Sequence, residues 1–215
     1  MKAYRPSFAY ALPITLLLAT LVSVPGWADP MAFVGAGPRT GTKVETPFAD
    51  EYAKPMALLW VGPRYGLGGN SPLGEEQKEN FQMYDVAAHL RLPWGWRHRP
   101  SDWTFETRLI ASAGQLVAAG TSGLMATVVP ALAVSSPNGL LSVDAGPGLA
   151  FFTNHKFGVQ NFGGPAQIIG TAGIGLDPFP MFHAGYRFQH FSDAGVYGPT
   201  SLGVDLHIIE LGYRF

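Results

Sequence analysis

Apolar and polar residues alternate with a period of two along much of this chain, most clearly in its second half. Over 140–152 the odd positions are Leu141, Val143, Ala145, Pro147, Leu149 and Phe151, set against Ser142, Asp144, Gly146 and Gly148. Over 166–176 the even positions Ala166, Ile168, Gly170, Ala172, Ile174 and Leu176 oppose Gln167, Thr171, Gly173 and Gly175. Side chains of a strand point alternately to its two faces, so each segment reads as a strand with one apolar face and one small or polar face. Eight strands are predicted, at 54–67, 80–94, 103–118, 123–136, 140–153, 163–177, 181–193 and 203–215. Residues 29–53, rich in Gly, Pro and Thr, read as an irregular amino-terminal lead-in with room for one short strand near 32–36.

The polar faces collect Asp85, His89, Arg91, Glu106, Arg108, Asp144, Arg187, Glu210 and Arg214. An eight-stranded barrel has an interior just wide enough for side chains to fill, so these groups are expected to pair inside it rather than line a pore. A soluble lipocalin-like barrel would reverse the faces, apolar side inward and charges outward. The carboxyl end separates the two readings. Leu211, Tyr213 and Phe215 alternate to a terminal aromatic, which resembles the insertion signal that closes bacterial outer-membrane barrels. The fold class expected is therefore all-β, an eight-stranded antiparallel transmembrane β-barrel over 54–215. A periplasmic carboxyl terminus makes 136–139 and 177–180 short periplasmic turns, and 68–79, 154–162 and 194–202 longer outer loops. Two connections fit this scheme less well, since 95–102 is long for a periplasmic turn and 119–122 short for an outer loop.

Composition agrees with this picture. Charged residues are 13% of the 215, against about a quarter in soluble domains, while 27 glycines suit closely packed strands. A net charge of −1 gives no reason to expect a nucleic-acid partner. The absence of cysteine removes disulfides, thiol nucleophiles and thiolate metal sites. Residues 1–28 read as a signal peptide: Lys2 and Arg5 precede an apolar run from Ala9 to Val24, and Gly26-Trp27-Ala28 is a small-x-small cleavage site. Pro13 and Pro25 shorten that run below the ~20 residues of a helical span, so delivery to the bacterial outer membrane after cleavage is expected.

Chemistry concentrates near the end of the seventh strand. The alternate residues Phe182, Ala184, Tyr186 and Phe188 lead to His190 and Ser192, so an apolar stripe ends in an imidazole and a hydroxyl on one face, roughly 7 Å apart at Cα. Counting back from Phe215 through Tyr213, Leu211, Ile209 and His207 brings Asp205 into the same lipid-facing series on the adjacent strand. Ser192 as nucleophile, His190 as general base and Asp205 as orienting carboxylate would form a serine-esterase site. Backbone N–H groups of Asp193, Ala194 and Gly195 are the candidate oxyanion donors. His207 reads as an interface histidine and His183 as a lumen residue, while His89, His98 and His155 lack metal-ligand spacing. Trp94, Trp96 and Trp103 fit an aromatic girdle. No cofactor or metal is required by this chemistry, and no phosphate loop or dinucleotide fingerprint is present.

At these residues the chain resembles the outer-membrane lipid A 3-O-deacylase family (PagL-type). The family pattern His-x-Ser-Asn-Ala-Gly followed by Gly-x-Glu corresponds to His190-Phe191-Ser192-Asp193-Ala194-Gly195 and Gly203-Val204-Asp205. The resemblance is specific over about 30 residues and implies hydrolysis of an ester-linked acyl chain of lipopolysaccharide, at lipid A in the outer leaflet. Lipopolysaccharide and the outer-membrane bilayer are then the expected partners, and a homodimer is compatible with the sequence. Asp205 stands in place of Glu, one methylene shorter, with one extra residue in the loop before it. Asp193 stands in place of Asn and exchanges a donor for an anion. A non-catalytic structural or adhesive barrel and a phospholipid esterase are the alternative readings.

Overall fold

All eight expected strands form in the computed structural model: β1 Ala57–Gly68, β2 Gln82–His98, β3 Thr104–Ala118, β4 Thr121–Ser135, β5 Leu141–Phe152, β6 Ala166–Phe179, β7 Phe182–Ser192 and β8 Val204–Arg214. The structure describes residues 48–51, 55–68, 77–98, 100–198 and 201–215. All of these fall in the second of the chain's two units, Val44–Phe215. The expected signal peptide, the strand near 32–36 and most of the lead-in lie outside the described residues.

Each strand pairs antiparallel with its neighbour in sequence, and β8 pairs with β1, which closes the sheet into an eight-stranded barrel. Exterior positions such as Leu132, Val143, Leu149, Phe151, Ile174, Leu176, Ile209 and Leu211 are exposed, while most charged residues of the opposite face are buried and Arg91 and Arg214 are half-buried. That distribution is the reverse of a lipocalin's. The lead-in is not irregular throughout, since Phe48–Glu51 forms a short strand paired with the end of β2.

The two ill-fitting connections have local causes. Residues Ala119 and Gly120 both adopt positive φ, 48° and 72°, and link Ala118 to Thr121 in a two-residue hairpin of the type whose twist matches the strands. The first half of the long 95–102 connection is sheet, because β2 continues to His98. It does so past a bulge at Leu92-Pro93-Trp94, where Pro93 has no N–H to give the ladder. The Thr107 hydroxyl donates to the Trp94 carbonyl there, at 2.8 Å.

The lumen is filled in layers. At the Ser192 end Phe81, Phe152, Phe157, Phe162 and Phe191 pack into a buried aromatic plug, with neighbouring ring centroids 5.4 to 5.7 Å apart. Below it runs an ionic belt. The Arg64 guanidinium donates to both oxygens of Asp85, at 2.8 and 2.5 Å, and reaches Glu210 at 3.4 Å. Arg187 donates to Glu210 at 2.8 Å and to both oxygens of Asp144 at 2.7 and 3.1 Å. Gly173 makes the second pairing feasible, because a Cβ there would come within 2.7 Å of the Arg187 guanidinium. At the far end Trp60 stacks between His89 and His183, with centroid separations of 4.0 and 4.2 Å. His183 in turn bonds Asp177 at 2.7 Å.

Arg187 is 1% exposed and is the nearest cation to two buried carboxylates, so its removal leaves Glu210 with only Arg64 at 3.4 Å and Asp144 with only Arg108 at 3.9 Å. Arg187→Ala is expected to destabilise the refolded barrel by about 3–5 kcal/mol in denaturant titration. Adding Asp144→Asn and Glu210→Gln on that background should recover part of the loss.

Candidate active site

His190 and Asp205 are direct cross-strand partners in the β7–β8 ladder. The side chains of directly opposed residues leave the sheet on one face, so the pair meets without any rearrangement of the loops. The bond is short, His190 Nδ1 to Asp205 Oδ1 at 2.5 Å. A carboxylate only accepts, so Nδ1 carries the proton and Nε2 is the basic nitrogen. Ser192 lies two residues beyond His190 on the same face, at the last position of β7.

The site is exterior by register and sheltered by its surroundings. The His190 side chain is 17% exposed and that of Asp205 only 2%. Asp205 is thus covered rather than open to the membrane, which its place in the lipid-facing series did not foretell. Its backbone N–H donates to Gln77 Oε1 at 3.3 Å, and its Oδ2 is buried with no partner. On its other side His190 pairs with Gly170 of β6, where a Cβ would meet nothing within 4 Å. The surface beside the imidazole is open there.

No hydrogen bond joins Ser192 to His190 among the described residues. The Ser192 hydroxyl oxygen instead accepts the Ala194 N–H at 3.1 Å. Such contacts are commonly loose in ligand-free sites and tighten with substrate. The following turn is left-handed at Ala194, φ 50°, and at Gly195, φ 81°. The Asp193 carboxylate organises it, accepting from Gly195 N–H at 3.0 Å, Tyr197 N–H at 2.8 Å and the Ser201 hydroxyl at 2.7 Å. Burial works to raise the Asp193 pKa, but the bonds from Ser201, Gly195 and Tyr197 outweigh it and hold the carboxyl below its ordinary value. Its stabilisation of the turn is therefore complete above the ordinary carboxyl range, about 3.9, and is lost as pH falls through the depressed value.

Two glutamines absent from the sequence reading brace the segment leading into Asp205. Gln160 accepts Lys78 N–H at 2.9 Å and donates to the Gly203 carbonyl at 2.7 Å, while Gln77 holds Asp205 itself. Both act across more than 40 positions of sequence, where no periodicity could announce them. Leu202 N–H adds a bond to the Asn161 carbonyl at 2.9 Å.

The remaining histidines stand apart from this pair. His207 shares the exterior face, and its Nδ1 hydrogen-bonds the Tyr186 hydroxyl at 2.6 Å. His89 and His183 lie in the lumen stack, and His98 bonds Ser101 in the β2–β3 connection at 2.7 Å. Among the described residues no three His, Asp or Glu side chains gather where they could hold a metal ion.

The profile of the family described as Lipid A 3-O-deacylase (PagL) matches residues 82–214, from the start of β2 to the end of β8. A search of curated proteins found no match. Among solved structures the chain is similar to the crystal structure of the outer membrane enzyme PagL, with a TM-score of 0.58 and 16% sequence identity. That likeness covers 71% of this chain and 99% of the other, and it shows the barrel fold. The family profile spans well over half the chain and includes the strands β6, β7 and β8 that carry the site, so this protein is an outer-membrane β-barrel belonging to the lipid A 3-O-deacylase (PagL) family.

Proposed function

We propose that this barrel removes an ester-linked acyl chain, the one at the 3-position, from lipid A in the outer leaflet, by serine-esterase chemistry on its exterior wall. The observation that carries the mechanism is the 2.5 Å bond between His190 Nδ1 and Asp205 Oδ1, with Ser192 on the same face of the same strand. The family description supplies the substrate class. The stripe of Tyr186 and Phe188 below the site, and the open surface at Gly170, suit a substrate that arrives from the membrane.

His190 Nε2 takes the Ser192 proton as Oγ attacks the ester carbonyl. Asp205 holds the tautomer and stabilises the imidazolium that forms. The developing oxyanion is met by N–H groups of the 193–195 turn. Ala194 N–H, already 3.1 Å from Ser192 Oγ, is the nearest donor, whereas Gly195 N–H is engaged by the Asp193 carboxylate. His190 then returns the proton to the departing sugar oxygen, and the acyl group stays on Ser192. Water, activated by the same imidazole, hydrolyses that acyl-enzyme and restores the hydroxyl. Asp193 serves here through its carboxylate, which fixes the turn that carries the donor.

Ser192→Ala and His190→Asn should each lower deacylation by roughly 10³-fold or more while the barrel still folds. Mass spectrometry of lipid A from cells making these variants reads the effect as one retained hydroxyacyl group. If wild-type protein, correctly inserted, leaves lipid A unchanged, the reading fails; release of fatty acid from phospholipid instead would redirect it to that substrate. Asp193→Ala should cost on the order of tenfold or more in rate, because each bond that the carboxylate accepts is worth about 1.5–3 kcal/mol to the turn that carries the oxyanion donor. An unaltered rate would remove the turn from the mechanism.

A further inference from the structure

The end of the lumen away from Ser192 holds a cavity of about 330 Å³ whose wall includes Arg91, Arg97, Arg108 and Arg214. Three of these are accounted for. Arg214 pairs with Asp177 at 3.2 Å, Arg108 with Glu106 at 3.3 Å, and Arg97 has a partner of its own. Arg91 has neither a hydrogen bond nor an ion pair among the described residues, and its Nε is buried without a partner. Asp102, the remaining acid in the wall, is exposed and forms no ion pair with it.

The register sharpens the anomaly. Arg91 of β2 and Arg108 of β3 are direct cross-strand partners on the lumen face, an arrangement in which like charges repel. Arg108 Nε is likewise buried and unpartnered, although the rest of its guanidinium is engaged by Glu106, Ser135 and Ser142. Two opposed guanidinium groups, each with an orphaned Nε and both lining one cavity, form a site suited to an anion. Planar forks of this kind match the oxygens of a phosphate group.

We infer that this vestibule, at the periplasmic mouth of the barrel, binds a phosphate group between Arg91 and Arg108. Free phosphate and the phosphate of a lipid headgroup in the inner leaflet share the chemistry. The site lies at the opposite end from Ser192, so the inference stands independently of the deacylase reading.

The test is calorimetric titration of the full-length folded barrel in a non-ionic detergent, with inorganic phosphate in one arm and monomeric short-chain phosphatidylglycerol in the other. Wild type should bind at least one of the two. Binding in the first arm identifies free phosphate, and binding in the second alone identifies the headgroup. Arg91→Gln should weaken it at least tenfold, and Arg91→Lys, which keeps the charge, should weaken it less. In phosphate-free buffer Arg91→Gln should unfold at the same or a higher temperature than wild type, because a repulsion has been removed. Absence of binding in both arms, equal binding by Arg91→Gln, or a lower unfolding temperature for that variant would overturn the inference. Deacylation should be unchanged in both variants.

Discussion

Hydrocarbon offers no partner to a backbone N–H or carbonyl, so a sheet that crosses a membrane has to close on itself. Here closure is made by β8, which is bonded to β7 on one side and to β1 on the other. Once both ladders are in place, β8 cannot slip by a residue without turning every side chain to the wrong face. His190 therefore faces Asp205 as a consequence of the barrel's registration. The short imidazole–carboxylate contact rests on the strongest element of the fold, and only the turn after Ser192 is left to loop structure.

The lumen supports the same end of the molecule. An aromatic plug beneath the site and a belt of Arg64, Asp85, Asp144, Arg187 and Glu210 below it leave β7 and β8 backed by packed side chains. Buried ion pairs stabilise little in net terms, but breaking one is costly, and each member here is tied to at least one opposite charge. The belt thus acts as a constraint on strand register. The opposite mouth is less complete, with the unpartnered Arg91 guanidinium and the orphaned Nε of Arg108 at a cavity.

Much of this architecture was legible because a strand has a period of two. Alternation revealed the eight strands, the sorting of charges to the lumen, and the common face of His190, Ser192 and Asp205. The shorter carboxylate at 205 proved no obstacle to reach, since a direct cross-strand partner needs no loop to bring it closer. Other features depend on contacts that periodicity does not encode. Arg64 was not among the lumen charges read from the sequence, yet its position opposite Asp85 and Glu210 makes it central to the belt. Gln77 and Gln160 act across loops, and the role of Asp193 depends on how a left-handed turn folds back toward Tyr197 and Ser201. His190 and Ser192 share a face, but the Ser192 hydroxyl oxygen accepts from Ala194, a preference of the turn rather than of the strand.

In the proposed function, the exterior His190–Asp205 pair makes Ser192 a nucleophile. The most direct measurement is covalent labelling of the folded barrel with a lipophilic fluorophosphonate, followed by peptide mass mapping. A single phosphonylated serine, Ser192, is expected in the wild-type protein, and its loss in His190→Asn. Labelling at another serine, or undiminished labelling of Ser192 without His190, would contradict it.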